Sequence, residues 1–179
     1  MKQYPLVQVG DPELKVSCTP FGEAEILSVT TKEMVKRMKY TMRAVHGVGL
    51  AAPQVGIHRM LFVMRMSPSK YRPNIPHVAP YAVFNPEIVK TSGNETDWEG
   101  CFSVAKAGLF AKVSRPSSIH VRYFDEQATI VERELTGLEA RIFQHEYDHL
   151  IGMVFLDRQP NPSTFMGVDE YRAMLDKEI

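Results

Sequence analysis

Between residues 30 and 46, Met34, Met38, Met42 and Val45 recur at helical spacing among polar neighbours, which predicts an amphipathic helix. Thr30 or Thr31 can cap it, Glu33 falls in its first turn, and Gly47 is placed to end it. Ahead of it, Pro5, Pro12 and Pro20 break an irregular arm with room for one short helix at 11–18. The apolar run 60–66 predicts a strand, and four prolines mark 67–80 as a surface loop. A second strand is predicted at 81–90, ended or confined to a sheet edge by Pro86. Further strands are expected at 98–104, 118–124 and 129–135. The last two alternate side chains around the turn 125–128 and predict an antiparallel hairpin. Thr136, followed three residues later by Glu139, has the form of a capping box. The helix it opens should reach about Leu150, with Gly152 as its left-handed stop. The segment after Asp157 opens with Pro160 and Pro162 and closes with a short helix at 169–177. Strands preceding one late helix predict an α+β fold, with antiparallel sheets packed around that helix in one domain of residues 1–179.

Composition narrows the class without naming a chemistry. An apolar fraction of 44% and a charged fraction of 23% are those of a soluble globular chain. Lys plus Arg and Asp plus Glu both total 21, so net charge offers no argument for nucleic-acid or membrane partners. Cys18 and Cys101 are too few for a disulfide framework. The opening MKQYPLVQVGDPEL lacks the apolar core of a signal peptide and the Arg/Ser bias of a transit peptide. No apolar run approaches the ~18 residues a membrane span needs. The expected location is the cytoplasm, and a processed organellar form would carry the same sequence.

Chemistry enters on the late helix, at His145-Glu146-Tyr147-Asp148-His149. Residues four apart share a helix face, so both imidazoles can hold one ion while Glu146 serves a ligand of that ion as general acid/base. A chance polar run on a solvated face is the plain alternative, and the surrounding Ile142, Phe143, Leu150 and Ile151 argue against it. A third ligand is needed. Downstream, Asp157, Asp169 and Glu170 lie in a polar, proline-broken segment; upstream, Cys101 follows Glu99-Gly100. A thiolate binds divalent metals strongly, although a free cysteine is more often a small buried hydrophobe. The histidine pair and the adjoining glycine favour Cys101. A further segment, Gly47-Val48-Gly49-Leu50-Ala51-Ala52-Pro53-Gln54, combines small residues that let something lie against the backbone.

Together GVGLAAPQ, EGCFS and QHEYDH, in that order, resemble the three motifs of the peptide deformylase family, and the similarity spreads over most of residues 40–158. The resemblance implies hydrolysis of the N-formyl group from the formyl-methionine of new polypeptides, releasing formate. It implies one divalent metal on Cys101, His145 and His149, Fe(2+) in the native enzyme, with Zn(2+), Ni(2+) or Co(2+) as substitutes. Glu146 would move the proton, and the Gln54 side chain with the Phe102 backbone N–H would stabilise the oxyanion. Gly49 and Leu50 would pair with an extended peptide, and Val48, Leu138 and Ile142 would receive the methionine side chain. Arg141 falls on the same face, where only its stem is expected to pack. Glu99 would pair with Arg115.

Three features depart from the family pattern. Phe102 replaces a smaller aliphatic residue, and 105–112 does not match the bacterial form. Residues 169–179 carry Asp169, Glu170, Asp176 and Glu178 against Arg172 and Lys177, which argues against docking to ribosomal RNA through a basic C-terminal helix. Contact with the ribosome is therefore expected to be transient, with no direct nucleic-acid binding. His46, His58, His77 and His120 lack ligand spacing, and Cys18 reads as a spectator thiol. Two competing readings are a metallopeptidase with a downstream acidic ligand, and a structural metal site completed by Cys18.

Overall fold

The protein is described here by a computed structural model that covers residues 1–177; Glu178, one of the four acids counted above, lies outside the described residues. After a 3₁₀ turn at Pro12–Lys15 come α1 (Glu23–Ile26) and α2 (Val29–Ala44). Seven strands follow: β1 (Gly49–Ala51), β2 (Leu61–Met66), β3 (Val78–Ser92), β4 (Glu95–Gly100), β5 (Leu109–Arg115), β6 (Ser118–Phe124) and β7 (Ile130–Thr136). The chain then forms α3 (Gly137–Leu150), the two-residue β8 (Met166–Gly167) and α4 (Val168–Lys177). Among the described residues, every pairing between these strands is antiparallel, in one sheet of order β1-β2-β3-β6-β7 and a second of order β4-β5-β8. This is the α+β arrangement expected from the sequence. None of the described helices is long and apolar enough to cross a membrane.

Alternation along β2 organises the core. Phe62, Met64 and Met66 point to one face of the large sheet and pack with Phe143, Ile142 and Leu150 of α3. Leu61 and Val63 point to the other and meet Val35, Met38 and Met42 of α2. Phe62 and Phe143 meet edge to face at 5.0 Å, and burial of each ring is worth about 1.5–3 kcal/mol. A third cluster joins Cys101, Val104, Ala111 and Val113 of the small-sheet region to Val154 and Phe155 beyond α3. The late helix is therefore wedged between the two sheets.

Several local expectations are corrected. Ser28, rather than a threonine, caps α2, accepting from Thr31 N at 3.2 Å. The left-handed turn after α2 falls on His46 (φ 59°), and Gly47 follows it with its N–H on Met42 O. Pro86 neither ends β3 nor makes it an edge: β3 lies between β2 and β6 in the middle of the sheet. Asn85 (φ 47°) and Pro86 fall in a register shift between Phe84 and Glu87, where the missing N–H costs no ladder bond. The expected strand at 98–104 begins at Glu95 and stops at Gly100, so Cys101 leaves the sheet; the stretch 105–112 that matched no pattern is a 3₁₀ turn at Ala105–Ala107 followed by the start of β5. The capping box does not form: Thr136 caps α3 without a side-chain bond, and Glu139 turns instead to Arg133 (2.7 Å) and Tyr81 (3.3 Å).

Candidate metal centre and substrate cleft

α3 carries His145 and His149 on one face, with ring centroids 5.2 Å apart. Where β4 ends, the chain turns Cys101 toward them, and its Sγ lies 3.3 Å from His149 Nε2. Ligand atoms of Cys101, His145 and His149 all fall within 4.8 Å of one another. Donors around a tetrahedral divalent ion stand roughly 3.5 Å apart, so this set suits one ion after a small contraction. Beside it, Glu146 is 4% exposed and its Oε2 is buried with no hydrogen-bond partner among the described residues. A buried, unpartnered carboxylate oxygen on a residue that shares a cavity with Cys101 and His145 fits a site built for an ion and a water. Asp157 instead holds Lys15 and the Val154 N–H, and neither Asp169 nor Glu170 joins the cluster, nor does Cys18.

A buried ionic lattice aims the first histidine. Glu99, on β4, accepts from Arg115 at 2.6 and 2.9 Å, from Arg141 at 2.8 Å, and meets His145 Nδ1 at 2.9 Å. With Nδ1 donating to that carboxylate, Nε2 is the nitrogen left for an ion. Arg115 also reaches Asp148 at 2.9 Å, and Asp148 binds Arg158 as well. Asp148 thus ties α3 to β5 and to the chain beyond the helix. Arg141 is a correction: its guanidinium is buried, fixed to Glu99, Val113 O and Glu95 O, rather than leaving only a stem at the pocket.

Burial sets the protonation preferences. Desolvation pushes the Glu146 carboxyl up to about 7, a range suited to exchanging a proton near neutrality. Desolvation would also raise Glu99, but hydrogen bonds from Arg115 and His145 outweigh it and hold Glu99 well below the usual carboxylate range. Desolvation, then the neighbouring His145, holds His149 well below an ordinary histidine, in the neutral form a metal ligand requires. For His145 desolvation is overcome by Cys101 and Glu99, which raise it.

The GVGLAAPQ segment forms the opposite wall. Gln54 is buried in a short 3₁₀ turn; its Oε1 accepts from Ala51 N at 2.9 Å, which turns Nε2 toward Cys101 Sγ (3.4 Å) and Ser103 Oγ (3.2 Å). β1 is an edge strand. Arg65 N–H donates to Val48 O, so Val48 and Leu50 turn their backbone groups toward β2 while those of Gly49 face the open edge. The Leu50 side chain is fully buried in the core behind. Phe102 is steadied by the N-terminal arm, where Gln8 donates to Phe102 O at 2.8 Å and Val9 N to Ser103 O at 2.7 Å.

One cavity of about 210 Å³ opens onto this cluster and is lined by Val48, Gly49, Gln54, Leu138, Ile142 and Glu146. It also takes in Arg72, Trp98, Phe110 and Tyr171, which the sequence reading did not assign to a site. Nothing in their local spacing could have flagged them, since they come from a loop, two strands and a terminal helix.

Comparison with known proteins agrees with this geometry. The polypeptide deformylase family matches residues 3–164. Peptide deformylase 2 of a Nostoc species is 34% identical over 97% of this chain and 95% of its own length. Peptide deformylase 2 of Xanthomonas campestris is 39% identical over 88% and 87%. A class I type b peptide deformylase from Acinetobacter baumannii, solved with Met-Ala-Ser bound, superimposes with a TM-score of 0.83 at 33% identity, covering 88% of this chain and 98% of that one. With a family match over most of its length and relatives above 30% identity across nearly all of it, the chain belongs to the polypeptide deformylase family.

Proposed function

We propose a division of labour among the cleft residues for the reaction of this family, hydrolysis of the N-formyl group from newly made polypeptides with release of formate. Cys101, His145 and His149 hold the single metal, and Glu99 keeps His145 aimed at it. When bound, the ion supplies Lewis acidity that polarises the formyl carbonyl and makes water a stronger acid. Glu146 takes a proton from the attacking water and later delivers it to the leaving amine. Gln54 Nε2 and the Phe102 N–H donate to the oxygen that gains charge at the tetrahedral stage. Gly49 offers its backbone to the peptide as an added strand, and Val48, Leu138 and Ile142 receive the methionine side chain.

The observation that carries this reading is the meeting of the three ligand atoms with the buried, partly unpartnered carboxylate of Glu146 in one cavity. Ferrous iron is proposed as the native ion, with zinc, nickel or cobalt able to replace it. Cysteine and two imidazoles accept all four, so redox exposure and supply decide the occupant. Cytoplasmic action on nascent chains at the ribosome is proposed to be transient. Asp176 engages Lys70, and α4 has Asp169 and Glu170 in its first turn, a poor surface for phosphate.

The test is formate release from formyl-Met-Ala-Ser by anaerobically purified, iron-loaded protein. Release well above a Glu146→Ala control is expected. Cleavage of the unformylated peptide instead would point to a peptidase.

A further inference from the structure

We infer that Tyr171 of α4 is a wall of the pocket for the substrate's first side chain and limits how bulky that side chain can be; the inference rests on the function proposed above. Tyr171 lines the same cavity as Val48, Ile142 and Glu146. Its ring stacks on Phe110 at 4.2 Å with planes 16° apart, and meets Trp98 at 5.5 Å. Phe110 is backed in turn by Gly100: a Cβ there would stand 2.6 Å from the Phe110 ring. The wall therefore has a rigid backing one residue from Cys101.

α4 is held in place at both ends. Its entrance is fixed by β8, which pairs Met166 with Phe110 and Gly167 with Leu109, and by Val168 N–H on Gly108 O. Near its far end Asp176 takes hydrogen bonds from Lys70 Nζ (2.6 Å) and Tyr71 Oη (3.1 Å) of the loop that also sends Arg72 into the cavity. None of the α4 residues is fully buried, so the helix adds little to the core. The family match ends at residue 164, before α4 begins. A stacked aromatic wall suits a slim, polarisable thioether, which makes favourable sulfur–ring contacts.

The experiment measures kcat/KM of the full-length, metal-loaded protein for formyl-Met-Ala-Ser and formyl-Phe-Ala-Ser. Tyr171→Ala is expected to raise the Phe/Met ratio about tenfold, the lower end of what one methylene is worth in an apolar pocket. Tyr171→Phe should keep the ratio within about twofold, and Tyr171→Trp should lower it, which also covers the case of an alanine variant that does not fold. A purely structural role would change both substrates equally. An unchanged ratio in Tyr171→Ala and Tyr171→Trp, in enzymes that still deformylate formyl-Met, overturns the inference alone. No formate from formyl-Met with the unmodified protein overturns the proposed function, and this inference with it.

Discussion

Gly49 and Glu146 approach so closely that a Cβ on Gly49 would stand 2.1 Å from Glu146 Oε1. No Cβ contact of that length survives, so the Glu146 carboxylate occupies space that only glycine leaves open. Gly49→Ala should push the carboxylate out of position. With the geometry of the reacting groups disturbed by about 1 Å, kcat should fall about 100-fold while metal content is kept. Metal analysis beside steady-state kinetics checks this, and a variant with near-normal kcat would contradict it.

Glu146→Gln keeps the shape of the side chain and removes its base. Bound metal should stay stoichiometric and turnover should fall by about 100- to 10,000-fold, the range associated with general acid/base groups. Loss of metal in parallel with activity would mean that Glu146 serves the ion rather than the proton.

Cys101→Ala should lose stoichiometric metal, whereas Asp157→Asn should retain it, because Asp157 is engaged with Lys15 and the Val154 N–H. Chelation should also lower the melting temperature of the unmodified protein, since an ion present at 100 times its Kd stabilises by about 2.7 kcal/mol. Cys101→Ala should show no such chelator response.

Arg115 stands between two buried carboxylates, Glu99 and Asp148, and is itself 2% exposed. Arg115→Met leaves both short of a partner. A loss of about 3 kcal/mol or more is expected in urea unfolding, as for other half-removed buried ion pairs. A loss below about 1 kcal/mol would show that Arg141 and Arg158 suffice.

Burial raises the Cys18 thiol to about 11. The folded state thus holds its proton more tightly than an unfolded chain, whose thiol titrates near 9. Stability from this group is complete below about pH 9 and declines as pH rises toward 11. At pH 8.5 iodoacetamide should label Cys18 much more slowly in folded, metal-loaded protein than in urea, as followed by mass spectrometry. Equal rates would contradict the burial argument.

Much of this protein was legible before its structure was. The strand and helix types follow from periods of two and of 3.6, and the hairpin of β6 and β7 follows from alternation on either side of a short turn. His145, Glu146 and His149 lie within one helical turn, so their convergence is a local property of the chain. Cys101 and Gln54 were reached through motifs whose spacing implied a common site. Pro86 shows where local rules mislead: proline in a strand usually means an edge, and only the bulge beside Asn85 lets β3 run through the middle of the sheet. The same holds for Glu139, whose capping role was displaced by Arg133 and Tyr81.

The amino-acid sequence by itself determined the helix that carries the histidines, the α+β class and the family, because each rests on residues near one another in the chain. Only the tertiary structure decided what surrounds them. The Glu99–Arg115 pair was implied by the resemblance, but its extension to Asp148, the buried Arg141 and the aromatic wall of Trp98, Phe110 and Tyr171 join side chains from separate elements, up to 73 positions apart between Trp98 and Tyr171. Such pairings follow from how two sheets close around one helix, and that closure is set by burial across the whole core rather than by any local spacing.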